Sequence, residues 1–199
     1  MINEEIVLGF DTSAAHCAAA LLLKNTMLDV ISEDMPKGQA EMLGPMVLDL
    51  LAKNQLDIQD IKRIGVGIGP GNFTGIRIAV SFARGLGLSL QIPVIGVDSF
   101  EATYLNYNET AIVTVPATRN EFYFQKFPRT NIDTQIATLD EVSRHDIKII
   151  EGCTARVLVE NISRLAARED PKDFKPVAPL YIKPADAITS RDVKPKILS

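Results

Sequence analysis

Apolar and polar positions change period several times along the chain, and each change predicts an element. Ile6 to Phe10 is an unbroken apolar run ending at Asp11, which reads as a buried strand. Cys17 to Leu23 and Met27 to Ser32 follow after short polar turns, so the chain opens as an antiparallel meander. From Pro36 to Lys53 the period becomes helical. Ala40, Leu43, Val47 and Leu51 form one stripe and Met42, Met46 and Leu50 a second, leaving Glu41, Asp49 and Lys53 as the polar side. Ile61 to Ile68 is the next buried strand, followed by a glycine-rich turn, a helix from Thr74 to Leu90 and a strand from Pro93 to Val97. That order makes a right-handed parallel crossover. Within the helix Gly75, Ala79, Ala83 and Gly87 recur at every fourth position and align as one small-residue stripe, a surface on which another helix can come close.

Asp98 or Ser99 caps a short helix, and Ala111 to Val115 is a strand. The run TRNEFYFQKF predicts another strand with Phe122, Phe124 and Phe127 on one aromatic face. After Pro128 the pattern is more polar: Asp140 to Asp146 is loop or short helix, Ile147 to Ile150 is strand-like, and Thr154 to Ala167 is helical through Val157, Leu158, Ile162 and Leu165. The proline-rich end lies along a surface or forms a tail. The expected division is a first lobe over 1–115 carrying the helical surface, then a reduced second lobe with the proline-rich segment over 116–199.

Composition narrows the class. With 199 residues, 46% apolar and 23% charged, the chain is globular rather than disordered. A net charge of -4 argues against a broad phosphate-gripping surface for nucleic acid. Two cysteines, Cys17 and Cys153, do not make a disulfide framework and fit a reducing cytoplasm. No apolar run reaches membrane-spanning length, and the amino end reads as a strand rather than a signal peptide.

Candidate chemistry is sparse. GPGNFTG resembles a phosphate loop only superficially, because it lacks the lysine and following hydroxyl of a nucleotide P-loop; it reads as a structural turn with Thr74 as helix cap. Asp11, Thr12 and Ser13 have the types for a magnesium- or phosphate-facing turn, although the same residues commonly satisfy local backbone groups. His16 and His145, the only histidines, form no metal motif and read as ordinary polar residues. Arg77 and Arg84 share one broad side of the long helix, where they pair with acids or reach a partner. Asn72 and Ser81 lack a visible general base, and Asp98 and Glu121 are carboxylates near strand ends without an evident partner in chemistry.

The combination of DTS, GIGPGNFTGIRIAVSFARGLGL, IPVIGVDSFEA and PLYIKPADA resembles the TsaB family, also called YeaZ. The resemblance implies an α/β actin, sugar-kinase and Hsp70-like fold, ribonuclease-H-like, with a mixed sheet, flanking helices and a reduced second lobe. It implies participation, as a non-catalytic activating subunit, in making N6-threonylcarbamoyladenosine beside the anticodon of tRNAs that read ANN codons. The implied partners are TsaD by heterodimerisation, TsaE in the larger complex, tRNA through that complex, and a second copy as homodimer. ATP and magnesium then belong to the assembled pathway, with no cofactor assigned to this chain. The implied interface uses the helices Pro36 to Lys53 and Thr74 to Leu90, with Met42, Met46, Leu50, Gly75, Ala79, Ala83, Gly87, Arg77 and Arg84 as candidates. Two segments depart from the family: QAEMLGP has Gln39 for histidine and Gly44 for leucine, and ATRNEFY keeps Arg119, Glu121 and Tyr123 but has Ala117 for the acid. Two other readings stand beside the subunit: a small ATPase or phosphotransferase using Asp11 to Ser13, and an inactive glycoprotease-like homodimeric regulator.

Overall fold

Alternation in the first two strands decides the layering. In the computed structural model, which describes residues 5–118, 120–129, 134–169 and 176–182, β1 (Ile6–Asp11) and β2 (His16–Leu23) lie at the centre of one sheet. Ile6, Leu8, Phe10, Cys17, Ala19 and Leu21 face one core, while Val7, Leu22, Ala18 and Ala20 face the other. A strand buried on both faces must be apolar throughout, which is why these runs show no polar alternation.

β3 (Thr26–Asp34) pairs antiparallel with β2, whereas β4 (Ile61–Gly67) and β5 (Val94–Val97) add parallel strands beyond β1. The resulting five-stranded mixed sheet has the order β3-β2-β1-β4-β5. α1 (Gln39–Lys53) and α2 (Phe73–Leu90) cover one face. α5 (Ala155–Arg168) returns from the far end of the chain to cover the other through Leu158, Val159, Ile162 and Ala166. Its close approach is a steric property of two glycines in the sheet. A Cβ on Gly9 would strike Ser163 Oγ, and one on Gly65 would lie 2.8 Å from Ala166 Cβ and 3.0 Å from the Ile162 carbonyl.

The second sheet has the order β8-β7-β6-β9. β6 (Ala111–Pro116), β7 (Glu121–Phe127) and β8 (Gln135–Thr138) are antiparallel neighbours, and β9 (Lys148–Glu151) runs parallel to β6. α3 (Ser99–Tyr104) bridges the sheets: Phe100 belongs to the second sheet's core and Ala102 to the α5 layer. α4 (Leu139–Ser143) contributes Val142 to the outer face of the second sheet.

Several expectations change. α1 begins at Gln39, after Gly38 in the left-handed region at φ 93°, rather than at Pro36. Gly44 precedes Pro45 inside the helix, where the missing Cβ eases the helical conformation that a following proline disfavours. Phe124 and Phe127 are on opposite faces of β7, in separate cores, because an odd spacing reverses the side in a strand. β8 was not expected at all. The boundary at 115 and 116 falls inside β6, and α5 packs on the first sheet although it follows the second in sequence. Arg119 and the tail over 183–199 lie outside the described residues.

Replacing Gly65 by alanine is expected to destabilise the protein by about 1–3 kcal/mol, because overpacking forces α5 off the sheet. Urea denaturation checks this; an unchanged midpoint would contradict the close helix approach.

Candidate functional site

The turn after β1 is held by its own side chains. Asp11 is fully buried, and its Oδ2 accepts from the Ser13 amide at 2.8 Å, the Ser13 hydroxyl at 2.8 Å and His16 Nε2 at 2.7 Å. Its Oδ1 is sealed against the Cα of Gly67, where a side chain would displace it. Thr12, also fully buried, donates its hydroxyl to the Gly75 carbonyl at 2.7 Å. Asp11, Thr12 and Ser13 thus each bond within the chain, while Oδ1 of Asp11 is buried without a hydrogen-bond partner among the described residues.

The glycine-rich turn locks onto the same backbone. Asn72 N donates to the Ser13 carbonyl at 2.6 Å, and Ser99 N donates to the Gly69 carbonyl at 2.8 Å. Gly71 and Gly75 lie against the Ser13 and Thr12 carbonyls, positions where a Cβ cannot stand. Asn72, not Thr74, caps α2: its side chain accepts from Gly75 N at 2.9 Å. The Asn72 and Gly75 donors at this helix start are therefore spent within the chain, in keeping with a structural turn at GPGNFTG. Asp98 caps α3 and binds Arg129 Nη2 at 2.8 Å, an ion pair that joins the two sheets. Glu121 starts β7, half-buried.

Beyond these turns, the carboxyl ends of β1, β4 and β6 open on a cavity of about 360 Å3 between the sheets. His16 lines it, ring fixed by Asp11, and so do Ser99 and Thr103 of α3 and Tyr123 of β7. Cys153, half-buried, lies there with Sγ 3.6 Å from Thr103 Oγ1; burial raises its thiol pKa. Cys17 is a core residue whose burial, reinforced by Glu33 and Asp11, pushes its thiol up to about 12. Among the described residues no cluster of three His, Cys, Asp or Glu can hold a metal, and no helix is long and apolar enough to cross a membrane.

The other notable surface is the outer side of α1 and α2. Pro45, Leu48 and Ala52 are exposed at helical spacing on α1, as are Ser81, Gly85 and Leu88 on α2. Leu48 is 59% and Leu88 83% accessible. Between the two helices, Met42, Ile78, Phe82 and Leu86 are only partly covered.

Comparison with known proteins fits this geometry. A family model described as TsaD: tRNA N6-adenosine threonylcarbamoyltransferase matches residues 30–181. A tRNA threonylcarbamoyladenosine biosynthesis protein TsaB from Buchnera aphidicola subsp. Schizaphis graminum is 28% identical over 98% of this chain and 98% of its own. TsaB from Buchnera aphidicola subsp. Acyrthosiphon pisum is 31% identical over 73% of this chain and 67% of its own. The chain belongs to the TsaB family. The family model carries the transferase's description, but the match spanning both full lengths is to TsaB. A crystal structure of an uncharacterized protein with similarity to peptidase YEAZ from Pseudomonas aeruginosa superposes with a TM-score of 0.70 at 22% identity, over 90% of this chain and 100% of that one. It shows the fold, the mixed sheet with flanking helices expected of a TsaB chain.

Within this TsaB fold the expected interface residues separate into two groups. Gly75, Ala79, Ala83 and Gly87 face inward, so the small-residue stripe is used against the chain's own sheet; a Cβ on Gly87 would strike Val94. Met46 and Leu50 are likewise buried under α1, leaving Met42 half-covered between the helices. Arg77 and Arg84 are on the exposed side. Arg77 is held over the Phe73 ring at 3.7 Å and donates through Nε to the Tyr181 hydroxyl at 2.7 Å, while Arg84 edges a groove with Pro176 and Val177. The small-residue stripe, expected to admit another helix, packs on the chain's own sheet.

Replacing Asp11 by alanine is expected to cost about 1.5–3 kcal/mol of stability, since it strands the Ser13 and His16 donors. Thermal or urea unfolding measures this; a fully stable variant would contradict the structural role of the carboxylate.

Proposed function

We propose that this chain is a non-catalytic subunit of the machinery that makes N6-threonylcarbamoyladenosine in tRNA, and that it docks on the TsaD transferase through the outer faces of α1 and α2. Family membership supports the place in this modification. The observation that carries the docking mode is the exposed strip of Leu48 and Leu88 beside the half-covered Met42 and Phe82. Apolar side chains of this size, grouped on one helical layer, gain free energy when a partner removes them from water. The engaged state of Asp11, Thr12 and Ser13 supports assigning the chemistry, with its ATP and magnesium, to the partners.

In this reading TsaE and tRNA join through the complex. In the same reading a second copy of the chain competes for this strip when TsaD is absent, so that self-association needs no second surface. The interface centre lies at Leu48, Gly85 and Leu88. A Cβ on Gly85 meets nothing within 4 Å, so a partner can approach the α2 backbone there.

Sedimentation velocity of the chain mixed with TsaD from the same cell tests the proposal. A stoichiometric complex is expected. Leu48→Glu with Leu88→Glu should weaken it at least tenfold, about 1.4 kcal/mol, with the melting transition unchanged. A complex insensitive to both substitutions would refute the assigned faces, and no complex at all would refute the subunit reading.

A further inference from the structure

At its end α2 reverses onto the sheet, and the reversal leaves an apolar groove beside the helix. Gln91 takes the left-handed conformation at φ 55°, and Ile92 N donates to the Gly87 carbonyl at 3.0 Å, so the chain turns back into β5 across Gln91, Ile92 and Pro93. Gly87 permits this, because a side chain there would strike Val94 and lie 3.2 Å from the Ile92 carbonyl. The opposite wall comes from residues 176–182. Val177 is buried in the first core and lies against Gly96, 3.2 Å from where a Cβ would stand.

The groove has a volume of about 840 Å3, and its walls include Leu88, Ile92, Pro93, Val94, Pro176 and Val177. Leu88 and Pro176 are exposed and Ile92, Pro93 and Val94 half-buried, so apolar wall stays in water in the free chain. A contiguous apolar hollow of this kind marks an interaction site. Among the described residues Arg84 is the one charged side chain that lines it, exposed and without a hydrogen bond or ion pair. Arg77, by contrast, is occupied by Phe73 and Tyr181. Gly85 and Leu88 belong both to this groove and to the centre of the docking strip, so a partner lying along α2 reaches the groove without a second surface.

We propose, resting on docking through α1 and α2, that this groove is the anchor point of that face: it receives one bulky apolar side chain of the TsaD transferase, and an acidic residue beside that side chain pairs with Arg84. A side chain that fills a concave apolar site loses more contact with water than one lying on a flat helix face, so interface energy concentrates at such points. The unpaired guanidinium sets the chemistry of the rim. It takes a carboxylate through two parallel N–H···O bonds and repels a partner segment that brings a lysine or arginine instead.

Methyl NMR of the full chain, labelled at isoleucine, leucine and valine and titrated with TsaD, reads the groove separately from the rest of the face. Ile92 and Val94 should shift together with Leu48, while Val142 and Ile149 of the second sheet's outer layer should not. Arg84→Glu should weaken the complex at least tenfold and Arg84→Gln about threefold, both with the parent melting transition, since the side chain gives up no partner among the described residues. A complex that shifts Leu48 but not Ile92 or Val94 would overturn the anchor and leave the docking face standing. Unchanged or tighter binding by Arg84→Glu would overturn the acidic contact. Shifts at Ile92 and Val94 that appear on concentrating the chain alone and not on adding TsaD would give the groove to a second copy and overturn the proposal, and absence of any complex would overturn it together with the docking reading.

Discussion

Backbone packed directly on backbone, where the turn after β1 meets the start of α2, is the contact on which the rest of the structure depends. Gly71 and Gly75 have carbonyls of Ser13 and Thr12 where side chains would be, and Asn72 N donates to Ser13 O at 2.6 Å. This contact sets the height of α2 over the sheet. With α2 in place, Ala79 and Ala83 bury their small faces against the core that contains Leu8, Phe10, Ile64 and Val66, and Gly87 clears Val94. The outward residues of α2 are then fixed by helical period alone: Ser81, Gly85 and Leu88 emerge on the exposed side.

The same contact fixes the cleft. Asp11 is buried because the turn folds over it, and it answers three donors with one oxygen. One of those donors is His16, whose ring is held at the cavity wall as a result. A motif that resembles a metal- or phosphate-binding turn thus serves two structural ends: it anchors α2, and it orients a histidine toward the space between the sheets.

Much of the first sheet was legible because buried strands and long helices carry their period in the sequence. Ile6 to Phe10, Cys17 to Leu23 and the strand–helix–strand unit around GPGNFTG all appear where their patterns place them. β8 was not legible: it has four residues, none fully buried, and its pairing with β7 supplies what its own pattern lacks. The packing of α5 was hidden for a different reason. An apolar helical stripe specifies a buried face but not the sheet it meets, and Gly9 and Gly65, which admit α5, stand 90 or more residues away. The small-residue stripe on α2 has the same ambiguity, as tight packing against a partner and against one's own sheet need the same residues. His16 gave no signal because its significance is the single bond to Asp11, five residues earlier across a turn.

α1 and α2 spend one face on the chain's own sheet, and in the proposed docking mode the other face meets the transferase. Hydroxyl-radical footprinting of the chain, free and mixed with TsaD, reads this side chain by side chain. Leu48 and Leu88, exposed in the free chain, should lose reactivity on mixing, while Tyr107 and Leu139, exposed elsewhere, should keep theirs. Protection of Tyr107 or Leu139 with Leu48 and Leu88 unchanged would contradict the account and move the interface away from these helices.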